Sequence, residues 1–170
     1  MGVIMVKNLQ NEDLCEIGVK LAAHIDADQA VNTYCKANFG KELTIYVGML
    51  GALLAGTDSE PYIAIHDFAK VEGAGTSKAT YACIIAVSIQ TDEECADYGP
   101  NVVVSAQHQR LSELMSLIQD SLNTYKGGCQ PPTSVETIVA GPQGDNLNQW
   151  TGFIAPTWEI SLPLGGKIPF

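Results

Sequence analysis

The run Tyr81-Ala82-Cys83-Ile84-Ile85-Ala86-Val87-Ser88-Ile89-Gln90 limits the possible folds more than any other part of the chain. In an extended strand, Cys83, Ile85, Val87 and Ile89 point to one side and Ala82, Ile84, Ala86 and Ser88 to the other. Both sides are almost free of polar groups, so this strand must be covered on both faces and belongs at the centre of a sheet. Upstream, Pro61-Tyr62-Ile63-Ala64-Ile65-His66-Asp67-Phe68 has the composition of a second strand. Strict alternation puts Tyr62, Ala64, His66 and Phe68 on one of its faces and Ile63, Ile65 and Asp67 on the other. The two strands form a long β-hairpin. Its flexible link, Lys70 to Lys78 with Gly73 and Gly75, can reach beyond the core.

A sheet centre of this kind needs a helical layer. Val103 to Tyr125 predicts the best helix: Leu111, Leu114, Met115, Ile118, Leu122 and Tyr125 recur at helical spacing, and Lys126-Gly127-Gly128 stops the run. Asn11 to Ala23 predicts an earlier helix capped by Asn11. Ala27 to Asn38 predicts another, closed by Gly40. Glu42 to Met49 is expected as a strand, followed by a loop through Gly51 and Gly56 to Ser59. Thr91 to Pro100 is expected as an acidic loop. Beyond Pro131-Pro132 come a strand at Val135 to Ala140, a turn at Gly141 to Gly144 and a strand at Gly152 to Leu162. Pro156 removes a ladder donor, so it should mark an edge, a bulge or a strand start. The fold class expected is a single α+β domain over 1–170. It has a mostly antiparallel sheet with a long β-hairpin, one long amphipathic helix packed on a face, a helical N-terminal layer over 1–40 and an extended tail over 163–170.

Charge and motif content exclude several functions. Nine Lys and Arg face nineteen Asp and Glu in 170 residues, a net charge of −10, and the basic residues are scattered singly. Duplex binding needs clustered cations against phosphates, so sequence-specific nucleic-acid recognition is not expected. The five cysteines are widely spaced and odd in number, the pattern of reduced thiols in an intracellular protein. The N-terminus lacks a secretory pattern, and Leu43 to Ala55 falls short of the ~20 residues that span a bilayer. His24, His66 and His108 stand apart, and Asp92, Glu93, Glu94 and Asp97 lack ligand spacing, so no metal is expected. Gly73-Ala74-Gly75-Thr76-Ser77-Lys78 lacks the spacer and the following helix of a phosphate loop. A distant Cys–His pair such as Cys83 with His66 can be drawn, and both lie inside strands. No catalytic residue and no cofactor are expected.

The order of elements is the remaining signal. It runs from a helical N-terminus through Glu42 to Met49, Pro61 to Asp67, Tyr81 to Ile89 and the helix Val103 to Tyr125, then to Trp150-Thr151-Gly152-Phe153 and Trp158-Glu159-Ile160. Over positions 40 to 162 this resembles the tail-terminator class of tailed-phage and prophage minor tail proteins. The resemblance implies a virion protein, assembled in the host bacterial cytoplasm. It implies a ring of copies, usually six, that caps the tail tube and meets a head-side neck protein, without catalysis, cofactor or membrane. Lys70, Gly73, Gly75, Lys78, Trp150 and Phe170 are the interface candidates. A head–tail connector, a small bacterial enzyme or ligand-binding domain, and a peptide adaptor using an edge strand are the other readings.

Overall fold

The two-sided apolar run becomes the middle strand of a five-stranded sheet. The computed structural model describes residues 14–48, 60–72, 78–92, 95–124, 131–143 and 146–161. The strands are β1 (Thr44–Val47), β2 (Tyr62–Glu72), β3 (Lys78–Gln90), β6 (Ser134–Gln143) and β7 (Asn146–Ser161), in the order β1-β2-β3-β7-β6. β1 runs parallel to β2, and the other three pairings are antiparallel. The α+β class with a mostly antiparallel sheet is therefore what the chain adopts.

The helices are α1 (Leu14–Asp26), α2 (Gln29–Phe39) and α3 (Ala106–Asn123). Local chemistry sets their ends. Asp28 caps α2 by accepting from the amides of Ala30 (2.9 Å) and Val31 (3.3 Å). Gly40 closes α2 at φ 69°, a left-handed conformation that glycine adopts without Cβ strain. Ser105 caps α3 through a 3.3 Å bond from the His108 amide. The expected start at Val103 is thus too early. Val102–Val104 is a β-branched run that forms β5 instead, paired with β4 (Ala96–Gly99) inside the expected acidic loop. The caps expected at Asn11 and Gly127-Gly128 lie outside the described residues.

The helices cover one sheet face. Leu111, Leu114, Met115, Ile118 and Leu122 of α3 join Ile17, Leu21 and Ile25 of α1 and Val31 and Cys35 of α2 over Ile63, Ile65, Cys83, Ile85, Val87, Ile89 and Ile154. At roughly 1.5–3 kcal/mol per fully buried large apolar side chain, this layer is the main source of stability. The opposite face carries a smaller cluster of Tyr62, Ala64 and Ala86, with Tyr46 and Phe153 against it.

Two expectations are corrected. Phe68 leaves the face of Tyr62 and His66 and joins the helix-side core, because an extra residue is accommodated between His66 and Ala69 and Asp67 takes φ 51°. The tip of the β2–β3 hairpin, expected to reach beyond the core, lies at 73–77 outside the described residues. Pro156 lies inside β7, which has a strand on both sides. Its place coincides with a gap in the β3–β7 ladder, where pairing stops at Ala82↔Thr157 and resumes in the same register at Ile85↔Ile154. A missing donor is tolerated there because the ladder is already open.

Candidate functional site

Of the named residues that the structure describes, Lys70 and Lys78 lie at one end of the β2–β3 hairpin and Trp150 toward the other. Lys70 lies near one end of β2, with Nζ 5.4 Å from the Tyr81 ring centroid. Lys78 begins β3 and donates to Glu159 Oε2 at 2.9 Å. Trp150 pairs with Ile89, near the far end of β3. It is half-buried against the core and meets the His108 ring edge-on at 5.9 Å between centroids, so it is a packing residue. Gly73, Gly75 and Phe170 lie outside the described residues, as does the tail expected over 163–170.

The His66–Cys83 pair is separated by the sheet itself. His66 faces the side of Tyr62 and Ala64, and Cys83 faces the helices. Burial pushes the thiols of Cys83 and Cys35 up to about 12, which leaves them as neutral hydrophobes at physiological pH. His66 Nδ1 is buried 3.2 Å from Asp67 Oδ2, in a geometry that forms no hydrogen bond.

Two recesses stand out among the described residues. One, of about 410 Å³, is a shallow apolar groove lined by Tyr34, Ser112, Glu113, Ser116 and Leu117 on α2 and α3. At its rim the Tyr34 hydroxyl is 2.8 Å from Glu113 Oε2 and 3.0 Å from the Arg110 carbonyl. Burial and the bond to Glu113 raise the Tyr34 pKa, while bonds from Gln109 and Tyr34 hold the Glu113 carboxyl below its ordinary value. These opposite shifts describe one thing, a phenol that keeps its proton and gives its hydrogen bond to a carboxylate. The other recess, of about 230 Å³, is polar and lined by Phe39, Lys41, Glu60, Gln90, Thr91 and Asp92. Its two carboxylates already accept from β7 amides, Glu60 from Gln149 and Asp92 from Asn148, each at 2.7 Å. Among the described residues no group of three or more His, Cys, Asp and Glu side chains could hold a metal. No described helix is long and apolar enough to cross a membrane.

The more distinctive surface is backbone. Among the described residues β1 and β6 are the outermost strands, each with one row of amides and carbonyls that no described strand pairs, and β2 from His66 onward likewise has no described strand on its β1 side. β6 is ten residues long, with Glu136, Thr137, Ile138 and Ala140 exposed, Ile138 at 51%. Lysine and proline, which blunt edges in soluble proteins, are absent from Ser134 to Ala140. β1 is four residues, Thr-Ile-Tyr-Val, and uncharged. No family model matches the chain, and no curated protein does either. The edges escaped the list of named residues because an edge is a property of strand order. The one sequence signal for β6 was its β-branched run, Val135, Thr137, Ile138 and Val139, with Glu136 as its single charge.

Proposed function

We propose that this chain is a structural subunit of the tail-terminator type. Copies form a ring at the end of a phage or prophage tail tube and present a surface to the head-side neck protein. The observation that carries this reading is a helix-packed sheet whose outermost described strands, β1 and β6, are almost uncharged and have no further described strand beside them, which suits pairing with further copies. Two further features support it. The pair His66 and Cys83 is split across the sheet, and the polar recess has its carboxylates already bonded. The net charge of −10 suits a channel that passes DNA without holding it. The protein then belongs in the virion and is assembled in the bacterial cytoplasm.

Electron microscopy of the purified protein, alone and with tail tubes of its own phage or prophage, tests the reading together with light scattering. Rings, free or seated on tube ends, are expected. Binding to a portal-side ring in place of the tube moves the chain to a connector role. A monomer at high concentration that leaves tube ends bare rejects the assembly reading.

A further inference from the structure

We infer that neighbouring copies join by pairing β1 of one chain antiparallel to β6 of the next, so that the five-stranded sheets continue around the ring. The inference rests on the ring reading above.

Strand direction supports it first. β1 runs with β2, and three successive antiparallel steps lead from β2 through β3 and β7 to β6. β1 and β6 therefore run in opposite directions within one chain. Rotating a copy about an axis roughly along the strands keeps each direction and keeps the helical layer on the same side. The β6 edge of one copy then meets the β1 edge of the next in antiparallel sense. Such a contact joins two different surfaces, and this is the kind that closes into rings.

Edge chemistry supports it second. Copies with a net charge of −10 repel one another except where carboxylates are sparse. Thr44 to Val47 has none, and Ser134 to Ala140 has only Glu136. Bulges and Pro142 gather at the Ala140–Gln143 end of β6, leaving Ser134 to Val139 regular. That stretch is long enough to receive the four residues of β1. Pairing β6 with β6 across a two-fold axis would leave β1 open and stop at a dimer.

Thr44 and Ile138 both lie on the face opposite the helices, so cysteines there would meet across the contact. In a background with Cys15, Cys95 and Cys129 replaced by Ser, Thr44→Cys and Ile138→Cys chains are mixed, with tail tubes present, and treated with a short bis-maleimide. Cross-linked dimers are expected from the mixture and not from either variant alone. The double variant should give a ladder of multimers. A dimer from Ile138→Cys alone overturns the pairing in favour of a two-fold contact. Rings seen by microscopy without mixed cross-links overturn the pairing and leave the ring reading standing, whereas absence of both rings and cross-links removes both. As a second arm, Ile138→Lys should weaken self-association at least tenfold with an unchanged melting profile. Val19→Lys, at a site 53% exposed on α1, should not. Equal losses from the two lysines would also overturn the pairing.

Discussion

Phe68 and Ile65 face the same side of the sheet, although three positions separate them in a strand whose side chains alternate. Asp67 makes this possible. Its φ of 51° absorbs the extra residue in β2 and turns Phe68 toward the helices. A left-handed backbone costs a non-glycine residue roughly 1–2 kcal/mol, less for Asp, and most for a β-branched side chain. Asp67→Val should therefore lower stability by about 1–2 kcal/mol. Asp67→Gly should stay within about 1 kcal/mol of the parent, because relieved strain is offset by greater freedom in the unfolded chain. Denaturant midpoints at constant slope measure both.

Gly18 of α1 receives the Phe68 ring that the bulge delivers. A Cβ at Gly18 would meet Phe68 Cζ at far below contact distance, and Phe68 Cε1 and Val47 Cγ1 at 2.9 Å. Two effects compete in Gly18→Ala. Helix propensity favours alanine by about 1 kcal/mol, while overpacking costs typically 1–3 kcal/mol. The ring is rigid and held in the core, so the clash should win, with a net loss of about 1–2 kcal/mol in the denaturation midpoint. Gly18→Ala combined with Phe68→Leu should recover part of it. Recovery of nothing would show that the helix does not depend on this contact.

Periodicity made the centre of this molecule legible before its margins. Tyr81 to Gln90 declared a central strand because it is apolar on both sides, and Leu111 to Leu122 declared a helix through its spacing. Both signals are local, and burial enforces them. The bulge at Asp67 was not legible, since strict alternation through Phe68 fits the same residues equally well. Pro156 inside a central strand was not legible either, because its tolerance depends on a ladder gap facing Cys83, far away in sequence. Val102–Val104 looked like the start of α3, yet a β-branched triplet next to Ser105 had a better partner in β4. The edges depended on strand order, and only the assembled sheet reveals that β1 and β6 lie outermost among the described strands.

The thiols should separate into two classes. Cys15 and Cys95 are exposed, whereas Cys35 and Cys83 are buried, with pKa values pushed up to about 12 by desolvation. Because the thiolate is the reacting species and access limits it, Cys15 and Cys95 should label rapidly in native protein. Cys35 and Cys83 should label only at the rate of unfolding. Peptide mapping after timed alkylation distinguishes the two classes, and native labelling of Cys83 would contradict the packing of α3 over β3.

Acid should weaken the α2–α3 contact through Glu113. Gln109 donates to Glu113 Oε1 at 2.9 Å and Tyr34 to Oε2 at 2.8 Å, and these bonds, with Arg110 nearby, lower its pKa in the folded chain. A carboxyl whose folded pKa lies below its unfolded value, ~4.3 for Glu, binds fewer protons when folded. Its stabilisation is therefore complete above the unfolded pKa and disappears as pH falls through the folded one. Its side chain is 40% exposed, so after solvent screening the contribution is less than about 1 kcal/mol. Glu113→Gln keeps the shape and an acceptor for Tyr34 but removes the charge. The stability difference between parent and Glu113→Gln should be constant above about pH 5 and shrink toward pH 3. Urea midpoints across that range measure it, and a gap that widens toward pH 3 would mean that the carboxylate is held in a less favourable setting than these hydrogen bonds provide.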